Sequence, residues 1–327
     1  MSDEIKRIGV FTSGGDAPGM NAAIRAVVRT AAYSHIDVYG IRRGYQGMID
    51  NDFVELKSRS VANIIQLGGT VLKTARCDDF RTPEGRALAA KNLKTQQIDA
   101  LVCIGGNGSY TGAMKLYEEH RIPTIGLPGT IDNDLYGTDF TIGYDTAINT
   151  ACDAIDKIRD TAGSHNRVFL VEVMGRDAGF IALAVGISGG AEAIFIPEQK
   201  GEMSQLMDHF KDTSRRTKSF SIVVVAEGDR QGGALAIQDR LETEFDDIDV
   251  RTTILGHIQR GGSPTARDRV LASQLGYEAV EALRKGEVSK AVGIVGGEVI
   301  LTDFEVAIGK SKQVNPDLIR MAEILAN

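Results

Sequence analysis

The chain has 327 residues, 43% of them apolar and 25% charged, which is longer than one hydrophobic core usually serves, so two domains are expected. A formal charge of -7 argues against broad attraction to nucleic acid or to an anionic membrane, so an anionic substrate would have to be met by local clusters of arginine. Cys77, Cys103 and Cys152 lack metal-ligand spacing, the first residues lack a long apolar run, and no apolar segment reaches spanning length; a cytoplasmic protein without a disulfide framework is expected.

Residues 8–11 read as a strand, 12–19 as a glycine-rich turn, and 20–32 as a helix with Ile24, Val27, Val28 and Ala31 on its apolar face. The next strand is expected over 36–41. Another is expected over 99–104, running into Gly105 and Gly106, with a helix from about Ser109. A further strand over 124–127 leads into a polar turn at 128–134. The rhythm then restarts, with a helix over 147–161, strands over 168–173 and 221–226, and a third strand over 250–255 at the edge of a second sheet. Strand, glycine turn and helix in repetition imply parallel sheets covered by helices on both faces, with ligands at the carboxyl ends of the strands. A domain boundary is expected near 142–145.

Three turns and one set of arginines carry chemistry. The run TSGGDAPGMN, from Thr12 to Asn21, follows a strand and opens a helix, so its backbone N–H groups suit a phosphate. It lacks the Gly-Lys-Ser/Thr ending of a Walker A loop. The run GGNGS, from Gly105 to Ser109, offers the same possibility; taken alone, this second turn reads equally as a plain Asn-Gly turn, whereas for the first turn plain structure is the weaker reading. In PGTIDND, from Pro128 to Asp134, two carboxylates sit two residues apart at a strand end, as a base and a magnesium partner would for phosphoryl transfer to a hydroxyl. The alternative for that segment is a solvated Asx-rich turn. Arg167, Arg176 and Arg260 each lie beside a strand or glycine turn, where a guanidinium fork fits phosphate oxygens, although isolated arginines are usually surface residues.

Together, residues 13–21, 105–109, 128–134, 172–176 and 255–264 resemble the bacterial ATP-dependent 6-phosphofructokinases, from about residue 6 to residue 273. The resemblance implies an α/β fold of two Rossmann-like three-layer domains with mainly parallel sheets and the active site in the cleft between them. It places the ATP-binding domain at 1–143 plus about 259–309, and the fructose 6-phosphate domain at about 144–258 plus 310–327. It further implies a homotetramer that moves the ATP γ-phosphoryl group to the 1-hydroxyl of fructose 6-phosphate with Mg2+. In this sequence Gly15, Tyr45, Arg76, Arg81, Gly106, Asn107, Gly108, Ser109 and Gly112 match the nucleotide site. Arg76 matches the residue that bridges the two substrates. Asp132 matches the general base, flanked by Thr130 and Asp134, while Met174, Gly175, Arg176, Glu227, His257 and Arg260 match the sugar-phosphate pocket. Arg167 and Arg251 match arginines that reach that pocket from a neighbouring subunit. Arg25, Arg29, Arg159, Glu192, Arg216 and Lys218 match an effector site for ADP or phosphoenolpyruvate. Gly108 and Gly129, where pyrophosphate-dependent relatives carry aspartate and lysine, imply ATP as donor.

The chain departs from the family pattern at several positions. Asn107 replaces the aspartate that helps position Mg2+ and, with Asp132, forms a metal site weakened by one charge. Lys73 stands where glycine or tyrosine is more usual, Ser58-Arg59 replaces an Arg-Tyr pair, and Phe220 replaces a histidine. The alternatives raised by Asn107 are a weak or non-catalytic regulatory paralogue, and a kinase with another donor or sugar acceptor.

Overall fold

The computed structural model describes residues 5–162, 167–200, 202–211, 220–245 and 248–326. The chain divides into two compact units, one formed by residues 1–131, 135–146 and 260–312 and the other by 132–134, 147–259 and 313–327.

In the first unit β1 (Arg7–Thr12), α1 (Met20–Tyr33), β2 (Asp37–Ile41), α2 (Tyr45–Ile49) and β3 (Phe53–Glu55) come first. After a single 3-10 turn at Asp79–Arg81 follow α3 (Pro83–Thr95), β4 (Ala100–Gly105), α4 (Asn107–His120) and β5 (Thr124–Pro128). The chain then enters α5 (Tyr144–Ala162), within which the division between the units falls. The second unit carries β6 (Arg167–Val173), α6 (Phe180–Ser188), β7 (Ala193–Phe195), α7 (Glu202–Lys211), β8 (Phe220–Ala226), α8 (Gly233–Glu244) and β9 (Asp249–Ile254). A 3-10 turn at Gly256–Arg260 precedes α9 (Ala266–Arg284), β10 (Lys290–Val295), β11 (Glu298–Asp303) and α10 (Phe304–Gly309) of the first unit; α11 (Pro316–Leu325) belongs to the second.

The first sheet has seven strands in the order β11-β10-β5-β4-β1-β2-β3, with β10, β5, β4, β1 and β2 parallel and the two outer strands antiparallel. Side chains alternate across its pleat. Phe11, Ile41, Leu101 and Cys103 pack with Tyr45, Met48, Ala89, Leu93 and Leu116 of α2, α3 and α4. Ile8, Val10, Val102 and Ile104 point the opposite way, toward the face that α1 and α9 cover, and are fully buried. Helix α1 buries Ile24, Val27, Val28 and Ala31, the stripe expected from the 3.6-residue period.

The second sheet is wholly parallel, in the order β7-β8-β6-β9. Val168, Leu170, Val223 and Val225 meet Met203, Leu206, Ala234, Ile237 and Leu241 of α7 and α8. Strand β9 lies at the sheet edge, where the third strand of this unit was expected. Mainly parallel sheets between helices are thus present in both units. Among the described residues no helix is long and apolar enough to cross a membrane.

Beyond short elements such as α2, β3 and β7, which the expected pattern did not include, two differences bear on the strand ends and sheet edges. Helix α4 begins at Asn107 rather than near Ser109, because Gly106 takes an extended conformation and acts as its N-cap. Strands β10 and β11 form a hairpin with no counterpart in the expected elements. Its two-residue loop is Gly296-Gly297, both with positive φ (59° and 88°), the requirement of a tight primed turn.

Candidate active site

Three loops of the first unit leave neighbouring strands at their carboxyl ends. The Ser13 N–H donates to the Ile104 carbonyl (3.0 Å) and the Gly129 N–H to the Gly105 carbonyl (3.1 Å), so the loops after β1, β4 and β5 are tied side by side. This closeness depends on missing side chains. A Cβ on Gly105 would meet the Ser13 carbonyl oxygen at 2.6 Å, and one on Gly129 would meet Ile104 at 2.8 Å and Met20 at 3.1 Å. A lysine at 129 has no room.

Helix α4 opens directly at this junction. The N–H groups of Ser109 and Tyr110 both donate to the Gly106 carbonyl (2.9 and 3.1 Å). Those of the first turn, at Asn107 and Gly108, precede the intrahelical ladder and project beyond the helix end, as an anion requires. No atom lies within 4 Å of a Cβ placed on Gly106 or Gly108, which leaves the helix end open.

Tyr45 supports this turn from beneath. Its ring stacks on Phe80 (4.0 Å between centroids), its hydroxyl donates to the Ser109 carbonyl (2.5 Å), and Gly112 lies against its ring. Only 8% of Tyr45 is exposed, and burial pushes its phenol well above the ordinary range, so it stays a neutral donor.

A loop over residues 64–76 carries Lys73 and Arg76. Buried Asn21 donates its amide to the carbonyls of Leu67 and Gly68 (3.1 Å each) and accepts from the Val71 N–H (2.8 Å). Thr12 Oγ1 adds a bond to the Lys73 carbonyl (3.0 Å). In the sequence Asn21 and Thr12 mark only the ends of the glycine turn; their anchoring role depends on burial that no local pattern signals. Lys73 is exposed with φ 60°, a left-handed conformation in which glycine is at ease. Arg76 and Arg81 are exposed, and Arg81 pairs with Asp78 at 3.6 Å. Arg260 donates to the Asp16 carbonyl (3.2 Å) and its guanidinium fills the space beside Gly15.

The acidic turn is not a solvated Asx turn. Asp132 is 1% exposed and Asn133 3%, while Asp134 and Thr130 are half-buried. Thr141 donates to the Thr130 carbonyl (2.6 Å), which fixes the approach to the turn. Arg176 Nε lies 3.5 Å from Asp132 Oδ2, with 63% of the arginine side chain exposed. A buried carboxylate beside an accessible guanidinium can both receive a proton and hold an anion.

Arg176 follows β6 in a tight loop, with φ 148° at Gly175 and 51° at Arg176 itself. Glu227 Oε1 accepts from the N–H groups of Gly175 (3.2 Å) and Arg176 (2.7 Å). Met174 is buried, while Glu227 and His257 are exposed.

Arg167 and Arg251 lie elsewhere in this unit. Arg167 starts β6, seven residues before the Met174 loop, so about 20 Å of strand separates the two ends. Both arginines pair with Asp249, at 2.6 and 3.0 Å, and the Arg167 hydrogen bond holds that carboxyl below the usual range.

Of the residues matched to an effector site, Arg25 is half-buried and Arg29 exposed on α1. Arg159 donates to the carbonyls of Gly189 and Gly190, and Glu192 accepts from the Ile222 N–H (2.7 Å). Arg216 and Lys218 lie outside the described residues.

Among the described residues no group of three or more His, Cys, Asp or Glu side chains could hold a metal by itself. Mg2+ bound chiefly through phosphates and waters needs only one or two protein oxygens. Asn107 Oδ1 is buried and accepts no hydrogen bond among the described residues, an oxygen fitted to such a role.

The phosphofructokinase family model matches residues 7–283. The chain is 56% identical over 322 residues to the ATP-dependent 6-phosphofructokinase 2 of Bacteroides thetaiotaomicron, covering 98% of this chain and 99% of that protein. It is 58% identical to the ATP-dependent 6-phosphofructokinase 1 of Thermus thermophilus over 326 residues, 98% of this chain and 100% of the relative. Among solved structures, phosphofructokinase from Saccharomyces cerevisiae superposes with a TM-score of 0.87 at 37% identity; 98% of this chain is covered, and it spans about half (48%) of the yeast chain.

Proposed function

The chain belongs to the phosphofructokinase family, and from that premise we infer that it transfers the γ-phosphoryl group of ATP to the 1-hydroxyl of fructose 6-phosphate, giving fructose 1,6-bisphosphate and ADP in glycolysis. The observation that carries the catalytic assignment is the buried Asp132 carboxylate with the exposed Arg176 guanidinium at 3.5 Å.

In the proposed reaction Asp132 accepts the proton of the sugar 1-hydroxyl as that oxygen bonds to the γ-phosphorus. The bond from phosphorus to the β–γ bridging oxygen breaks, and ADP leaves with that electron pair. Thr130 and Asp134 set the conformation of the turn that carries the base. The first-turn N–H groups of α4, at Asn107 and Gly108, meet the nucleotide phosphates, with Ser109 and Tyr45 holding that turn in place. Gly106 leaves the main chain approachable, Gly15 makes room for the Arg260 guanidinium beside the first glycine turn, and Arg81 sits at the nucleotide side. Arg76 places positive charge on the transferring group, where electrostatic stabilisation is the main source of rate. Met174, Gly175, Arg176, Glu227, His257 and Arg260 bind the sugar phosphate. Asn107 and Asp132 would offer protein oxygens to Mg2+, which would supply charge neutralisation for the transferring phosphates.

The position of Arg167, about 20 Å of strand from the Met174 loop of its own chain, with Arg251 on the neighbouring strand β9 opposite Phe169, supports their serving a neighbouring subunit's sugar site. We therefore read the enzyme as an oligomer, a homotetramer by family pattern, with an effector site for ADP or phosphoenolpyruvate that includes Arg25, Arg29, Arg159 and Glu192. The experiment is a coupled assay with Mg2+ and fructose 6-phosphate, offering ATP or pyrophosphate. Turnover with ATP alone is expected. Turnover with pyrophosphate and none with ATP would overturn the donor assignment.

A further inference from the structure

We propose that Gln259 is a positioning residue of the sugar-phosphate site, holding the loop that presents Arg176 to Asp132. The inference rests on the sugar-kinase reading above. Gln259 is 0% exposed, a costly place for a carboxamide. Its Oε1 accepts from the Met174 N–H at 2.8 Å. The next two N–H groups, of Gly175 and Arg176, end on Glu227 Oε1. Three consecutive backbone donors are thus held by two side chains, one from the end of β8 and one from the 3-10 turn after β9. Those strands flank β6 on either side, so the loop after β6 is gripped from both directions.

The grip acts on backbone that would otherwise relax. Arg176 sits at φ 51°, a left-handed conformation that is unfavourable for a residue with a Cβ. Released from its hydrogen bonds, the loop returns toward ordinary φ and carries the guanidinium away from Asp132. Gln259 Nε2 is buried and has no acceptor among the described residues. Packing alone would be served better by an apolar side chain here, since an unmade hydrogen bond in the interior is destabilising. What the amide contributes is its oxygen. Gln259 also anchors the Gly256–Arg260 turn that carries His257, so one buried residue sets two strand-end segments of the sugar site.

The test compares full-length Gln259→Met, which keeps length and volume but has no acceptor, with Gln259→Glu, which keeps an acceptor oxygen. Loss of one such hydrogen bond corresponds to roughly a tenfold rise in the fructose 6-phosphate KM of the Met variant, with the ATP KM unchanged within about twofold. The Glu variant is expected to recover most of that loss, which a purely structural role would not predict. Should the Met variant fail to fold in a thermal melt, Gln259→Asn, whose shorter amide cannot reach Met174, replaces it with the same expectation. A fructose 6-phosphate KM that stays native, an ATP KM that rises equally, or a Glu variant no better than Met would overturn the proposal. Absence of fructose 6-phosphate turnover by the native chain would instead overturn the sugar-kinase reading on which it rests.

Discussion

Replacing Asn107 with aspartate tests the metal site most directly. Asn107 is the first residue of α4, whose first turn carries no acidic side chain, and its Oδ1 is buried without a hydrogen-bond donor among the described residues. A carboxylate there gains about 0.3–1 kcal/mol from the helix N-terminus, so the melting temperature should not fall. Unit charges about 4 Å apart interact by roughly 4 kcal/mol at an effective dielectric near 20. Because Mg2+ keeps several waters, about a third to two-thirds of that should survive, or roughly ten- to a hundredfold in Mg2+ affinity. The assay is the Mg2+ dependence of initial rate at saturating ATP and fructose 6-phosphate, measured by coupling product formation to NADH oxidation. Asn107→Asp should reach half-maximal rate at lower Mg2+, and Asn107→Ala at higher. Identical Mg2+ curves for all three proteins would refute the placement of Asn107 at the metal.

Asp132→Asn should lower kcat by about a hundred- to ten-thousandfold while the protein still binds ATP. If Arg167 serves a neighbour, refolding Asp132→Asn together with Arg167→Ala should return activity that neither protein has alone. Gly108→Ala should leave thermal stability equal or slightly higher, because nothing lies within 4 Å of the new Cβ and alanine favours the helix, yet it should raise the ATP KM. Glu119 accepts two 2.7 Å bonds from buried Arg86, whose hydrogen bond holds the Glu119 carboxyl below its ordinary value. This stabilisation is complete above the ordinary carboxylate range and is lost as pH falls through the depressed folded value. Glu119→Gln should therefore cost about 1–2 kcal/mol near neutrality, with the gap from native protein closing in acid, as followed by denaturant unfolding across pH.

Much of the fold was legible because its signals are local. β-Branched runs bounded by glycine marked β1, β4, β6 and β8, and a 3.6-residue stripe marked α1. The β10–β11 hairpin was missed, although Gly296-Gly297 is a strong turn signal. The start of α4 slipped because a string of small residues contains no propensity contrast, and only the extended conformation of Gly106 sets the cap.

The site separates along the same line. Residue order alone determined the α/β class, since strand, glycine turn and helix each follow from residue types within a short window. It marked the glycine turns and the acidic turn at 128–134 only as candidates, and the family resemblance, not the local pattern, singled out Asp132 as the candidate base. Only the tertiary structure decided that Asp132 is buried beside Arg176, that Asn21 holds the 64–76 loop and Tyr45 the first turn of α4 from within, and that Gln259 grips Met174 across 85 positions of chain. The Gln259 contact depends on β6 and β9 being neighbours in the second sheet, and strand adjacency, like the burial that brings the other pairs together, arises from distant apolar faces rather than from any local pattern.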